Sequence, residues 1–253
     1  MDLIRVWDDY YSQSQEDTVL KDKNFFELEV NALTSEIAMV SEGKGAAEIR
    51  ILEVGSGTGY LAKRILEKLG ERTAGPVSFT GIDFSEIACA KARERDLPGA
   101  RFVAEDFVRA LEADATKYDF IVSQRSIMAI MDEAGQQRLL TLIREHLAPG
   151  GVGVLSEGSK EALDLLGKMR AELGVDEAFE KVWHSRYLER RQIESVFPRV
   201  TVVDYASTYW LITRVLYPYF EKPKHNTKLH DFAATLPQLG DYGLVKLFLV
   251  RAA

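Results

Sequence analysis

Three glycines fall within five residues, Gly55-Ser56-Gly57-Thr58-Gly59, between an apolar run at 49–54 and an amphipathic stretch at 60–69. Glycine reaches backbone angles closed to other residues and lets a ligand approach the main chain. The tract therefore predicts a tight turn from a strand into a helix. Leu61, Ile65, Leu66 and Leu69 share one face of that helix, which Gly70 ends. The alternation then continues. Strands are predicted at 77–82, 101–104, 118–123 and 152–156, and helices at 85–95, 133–147 and 159–173. Strand and helix alternating at this spacing imply a parallel sheet with helices on both faces, an α/β doubly wound fold.

The two ends of the chain break this rhythm. Residues 1–23 show weak periodicity and read as a loop or short helix. Phe26, Val30, Leu33, Ile37 and Val40 predict an amphipathic helix over 24–40. Strands at 200–203 and 244–250 enclose about 40 residues containing Pro218, Pro223 and Pro237, and a loop that long is uncommon unless functional. The chain reads as a single domain: an N-terminal helical cap at 1–45, a core sheet at 46–205 and 241–253, and an inserted lid at 206–240. Ser207 or Thr208 is expected to cap a short lid helix, with Pro218 ending it and Trp210, Arg214 and Tyr217 on one face.

Composition removes several function classes. The 253 residues hold 32 Lys+Arg against 39 Asp+Glu, a net charge of −7, which leans away from a dedicated nucleic-acid binder. The single Cys89 makes neither an internal disulfide nor a cysteine zinc cage; its helical site and that of His146, at a helix end, read as structural. No apolar run has the length of a membrane span, and the first residues do not read as a signal peptide, so a cytoplasmic protein is expected.

The chemistry begins at Glu53, two residues before Gly55. A pyrophosphate would be repelled by that carboxylate, and Tyr60 stands where the nicotinamide fingerprint GxGxxG has its third glycine. A ligand with a cationic amino-acid end suits the site, which points to S-adenosylmethionine. Here the sequence resembles the class I S-adenosylmethionine-dependent methyltransferases. Their (E/D)xGxGxG motif is matched by Glu53 to Gly59. Their ribose-binding acid at the end of strand 2 is matched by Asp83, and their adenine-facing acid after strand 3 by Asp106, or by Glu105 if the register slips by one. Leu147-Ala148-Pro149-Gly150-Gly151 matches their turn before strand 5. The resemblance covers about residues 49–157 and the last strand. It implies a Rossmann-like, mostly parallel seven-stranded sheet, with Glu53, Gly55, Ser56, Gly57, Gly59, Asp83, Phe84, Glu105, Asp106, Phe107 and Ser123 around the cofactor.

The acceptor side is less defined. In an open parallel sheet it lies beyond the carboxyl ends of the strands, where Ser123-Gln124-Arg125-Ser126 closes strand 4. The (N/D/S)PP(Y/F) motif of amino-directed nucleic-acid methyltransferases is absent there. No acidic cluster suggests the magnesium of catechol-type enzymes, so no metal is expected. Within Trp183-His184-Ser185-Arg186-Tyr187, His184 is the general-base candidate because imidazole titrates near neutral pH. Arg125 and Tyr187 join it as catalytic candidates, and Gln124, Arg125, Tyr209, Trp210, Arg214 and Tyr217 as substrate-binding ones. Arg125, Arg186 and Arg214 are suited to a carboxylate or phosphate on the acceptor. The expected function is methyl transfer to an oxygen or nitrogen of a small organic acceptor (metabolite, natural product or sugar). The alternatives are a nicotinamide-dependent oxidoreductase, against which the missing Tyr-x-x-x-Lys counts, a non-catalytic binding protein of the same fold, and an aminopropyltransferase.

Overall fold

The computed structural model describes residues 3–13, 21–44, 47–175 and 184–252. Trp183 lies outside them. The strands are β1 Ile49–Val54, β2 Val77–Asp83, β3 Ala100–Ala104, β4 Tyr118–Gln124, β5 Leu147–Gly158, β6 Arg199–Val203 and β7 Val245–Arg251. The helices are α1 Leu3–Gln13, α2 Lys23–Ser41, α3 Tyr60–Gly70, α4 Glu86–Glu94, α5 Phe107–Ala113, α6 Glu133–His146, α7 Lys160–Glu172, α8 Arg190–Glu194, α9 Ser207–Trp210, α10 Tyr217–Phe220 and α11 Lys228–Thr235.

The strands form one sheet in the order β3-β2-β1-β4-β5-β7-β6. Pairs from β3 to β5 are parallel, and β7 runs antiparallel to both β5 and β6. The predicted sheet is therefore present. Parallel strands covered on both faces read as continuous apolar runs, as β1 and β4 do here. One core cluster packs the sheet against residues of α2, α3, α4, α7 and the insertion. The other includes residues of α5, α6 and α8. Strand order reverses between β1 and β4, so a crevice opens at their carboxyl ends, the usual ligand site of such sheets.

Local signals explain the helices that frame this crevice. Asp22 caps α2, accepting from the Phe25 N–H at 3.1 Å, and Ser85 caps α4, accepting from Ala88 N–H at 3.2 Å. Val30, Leu33 and Ile37 are fully buried along α2, each contributing about 1.5–3 kcal/mol. Residues 3–13 are helical where the weak periodicity left a loop open, and α5, α8 and α11 are too short for that signal. His146 is structural as expected: Nδ1 lies 2.8 Å from Leu142 O and Nε2 3.0 Å from Asp114 O.

The insertion departs from its expected single helix. After α9 the chain runs as a π-helix over Leu211–Leu216 and continues through Pro218 into α10. Proline lacks the N–H that an α-helix would direct at Arg214 O, four residues back. The Arg170 guanidinium donates to that carbonyl instead, so the helix survives a residue expected to end it. Tyr209, Trp210 and Tyr217 are 0%, 7% and 7% exposed. Trp210 stands edge-on to Phe25 at 5.3 Å, and Arg214 pairs with Asp22 and stacks over the Trp210 ring. The face that sequence spacing leaves for a ligand is thus packed on the start of α2.

Candidate functional site

The glycine turn is tied to β2 through its backbone. Gly55 and Ser56 N–H donate to Ile82 O at 2.8 and 3.0 Å. Gly57 N–H donates to Asp83 Oδ2 at 2.8 Å and Ser85 N–H to Oδ1 at 2.9 Å. Asp83 therefore holds the turn, a role the sequence did not reveal. Gly55, Gly57 and Gly59 have φ of +74°, +49° and +73°, the left-handed region that favours glycine.

Two polar atoms here have no partner among the described residues. Glu53 is 1% exposed, and its Oε2 receives no hydrogen bond; neither does the buried Ser56 Oγ. Burial raises the Glu53 carboxyl well above the usual range, and the neighbouring Asp83 charge raises it further. Burial also pushes Asp83 up, against the pull of its two backbone donors. Leaving a buried acceptor without a donor costs about 1–3 kcal/mol. A ligand bringing an ammonium to Glu53 removes that cost.

The ends of β4 and β5 build the far wall. Arg125 has φ +59°, and its Nε lies 3.1 Å from Glu29 Oε2. Gln124 Nε2 donates to the same oxygen at 2.9 Å, while Ser156 Oγ donates to Glu29 Oε1 at 2.7 Å and lies 3.1 Å from the Tyr205 hydroxyl. Glu29 was not singled out in the sequence, although an acid inside the apolar stripe of α2 was a visible signal. Below it, buried Glu157 accepts from the Ser123 hydroxyl and from the N–H groups of Ser126, Ile127 and Met128 at 3.2, 3.0 and 3.0 Å. Burial pushes its carboxyl up to about 7 in spite of these donors. Glu157 thus anchors the loop after β4, and the Ser123 hydroxyl is spent on Glu157.

The remaining predicted residues divide between crevice and periphery. His184 stands edge-on to Trp7 of α1 at 5.4 Å, and burial lowers its pKa, so the ring is neutral near pH 7. Tyr187 packs where a Gly158 side chain would be. Asp106 is exposed and caps α5 through Arg109 N–H at 2.9 Å, and Glu105 bonds the Asp106 N–H at 3.1 Å. Phe107 is buried beside Phe84 in the second core cluster. Tyr209, Trp210, Arg214 and Tyr217 gather near Asp22 and His230. The structure links them to the far wall through Phe25, which packs against both Trp210 and Tyr205.

The stretch of chain that holds this acid-flanked glycine turn matches known proteins. A family model described as a methyltransferase domain fits residues 51–151. Residues 51–151 thus carry a methyltransferase domain. A malonyl-[acyl-carrier protein] O-methyltransferase of Bacillus cytotoxicus is 34% identical over 113 residues, 44% of this chain and 36% of that protein. The chain therefore matches about a third of that relative's length. Among solved structures, the N-methyltransferase NodS of Bradyrhizobium japonicum, in complex with S-adenosylhomocysteine, superposes with a TM-score of 0.55 at 16% identity, covering 81% of this chain and 89% of that one. Magnesium protoporphyrin IX methyltransferase of Synechocystis gives 0.55 at 12% identity, covering 99% and 98%. At these identities the two structures speak for the fold.

The methyltransferase's own residues fit S-adenosylmethionine. The unpartnered Glu53 Oε2 suits its ammonium, the absent side chain at Gly57 suits close approach, and Asp83 retains lone pairs for ribose hydroxyls. No phosphate is required, in keeping with two buried acids beside the turn.

Proposed function

We propose that this methyltransferase moves a methyl group from S-adenosylmethionine to an oxygen or nitrogen of a small organic acceptor without a metal ion. The observation that carries the reading is the glycine turn flanked by Asp83 and by Glu53 with its unpartnered oxygen. S-adenosylmethionine supplies a methyl group on a cationic sulfur, open to in-line displacement. Glu53 and Asp83 bind and orient, and Asp106 or Glu105 faces the adenine end. Arg125 and Gln124, fixed by Glu29, border the acceptor. Positioning of this kind supplies much of the rate in a bimolecular displacement.

Oxygen and nitrogen acceptors must lose a proton. His184, kept neutral by burial, is the group suited to take it. Arg125, Arg186 and Arg214 are ion-paired with Glu29, Glu133 and Asp22. A negative group on the acceptor would have to compete with Glu29 for Arg125. The malonyl-[acyl-carrier protein] relative, by its name, methylates oxygen.

The test is S-adenosylhomocysteine release from S-adenosylmethionine across a panel of hydroxyl, amine and activated-carbon acceptors, with and without EDTA. Turnover is expected with a hydroxyl or amine and is unchanged by EDTA, since a hard cation needs several oxygen ligands together. Turnover confined to carbon acceptors, or lost in EDTA and restored by magnesium, contradicts the reading.

A further inference from the structure

We propose that Tyr11 belongs to the cofactor site, its phenol contacting the bound cofactor from the side opposite the sheet, with α1 as the roof that carries it. The proposal rests on S-adenosylmethionine binding at the glycine turn and adds a residue that neither the motifs nor the family match includes.

Position is the first argument. A Cβ built on Gly57 would lie 3.1 Å from the Tyr11 hydroxyl oxygen and 3.9 Å from Cζ. The phenol therefore faces the turn across the space that the missing side chain leaves. Electrostatics is the second. Burial raises the Tyr11 pKa, and the charges that act on it include Asp83, Arg125 and Glu53, groups of the crevice itself. The phenol stays protonated and is a hydrogen-bond donor in a site whose ligand offers carboxylate and ribose oxygens.

The third argument is that α1 is fastened in place by contacts of its own. Ser85 Oγ donates to Asp8 Oδ1 at 2.5 Å, and Lys91 Nζ donates to Tyr11 O at 2.5 Å. Trp7 lies 6.1 Å from the Tyr11 ring and 5.4 Å from that of His184, and Tyr10 meets Tyr11 edge-on at 5.5 Å. One helix thus touches α4, the glycine turn and the proposed base.

Calorimetry with S-adenosylhomocysteine, together with amide exchange over residues 3–13, tests this on the full chain. Losing the hydroxyl in Tyr11→Phe should weaken binding about 2- to 10-fold, the scale of one neutral hydrogen bond. Tyr11→Ala, which also removes the ring, should weaken it more. Melting temperature should stay close to wild type in Tyr11→Phe, which keeps the ring packing. S-adenosylhomocysteine should slow exchange in α1 of the wild type more than in Tyr11→Ala. Affinity unchanged or tighter in both variants would overturn the proposal, making Tyr11 a packing residue or an obstruction. A wild type that fails to bind S-adenosylhomocysteine would instead overturn the cofactor reading itself.

Discussion

Gly57→Val should yield a folded protein that no longer binds S-adenosylmethionine or S-adenosylhomocysteine at concentrations that saturate the wild type. Gly57 holds φ +49°, a genuine outlier for a β-branched residue. Holding valine there costs about 1–3 kcal/mol, less than the stability of an ordinary domain. The sheet therefore survives, while the turn shifts or the new methyls fill the ligand's space, beginning 3.1 Å from the Tyr11 hydroxyl. The Gly57 N–H bond to Asp83 is lost with any such shift. Circular dichroism checks the fold and calorimetry the binding. A folded variant with wild-type affinity would remove the turn from the site.

Asp83 carries the second large effect. Its two oxygens already accept Gly57 and Ser85 N–H groups, so Asp83→Ala removes the support of the turn together with the ribose contact. Hydrogen bonds to a charged group are worth about 1.5–3 kcal/mol. Binding should fall at least about tenfold in Asp83→Ala, with a drop in melting temperature from the buried Ser85 donor and the half-buried Gly57 donor left behind. Asp83→Asn keeps one carbonyl acceptor and most of the fold, and should still lose about tenfold in affinity. Unchanged affinity in Asp83→Asn would place the ribose elsewhere.

The sheet was legible because its strands are buried on both faces and its helices carry apolar stripes, patterns that periodicity reads directly. The glycine turn between β1 and α3 was legible because glycines at such spacing after an apolar run have few other uses. What escaped were contacts between segments distant in sequence. Glu29 meets Arg125 and Ser156 across more than ninety residues, and Tyr11 meets Gly57 across the crevice. Neither pairing leaves a local trace beyond one acid in an apolar stripe. The insertion misled for a different reason. Trp210, Arg214 and Tyr217 look like a ligand face at α-helical spacing, but Trp210 and Tyr217 are buried and Asp22 already supplies the anion for Arg214.

In the proposed complex, Glu53 and Asp83 receive the amino-acid and ribose ends of S-adenosylmethionine. Titration with S-adenosylhomocysteine over a series of pH values, in two buffers of different ionisation enthalpy, tests it directly. Burial raises the Glu53 carboxyl in the free protein, and an ammonium beside it favours the ionised form. Wherever in the series Glu53 is protonated in the free state and ionised in the complex, binding should release protons and affinity should rise with pH. Glu53→Gln should abolish the proton release and weaken binding. The account is contradicted by proton uptake, by release that persists in Glu53→Gln, or by the absence of any binding heat.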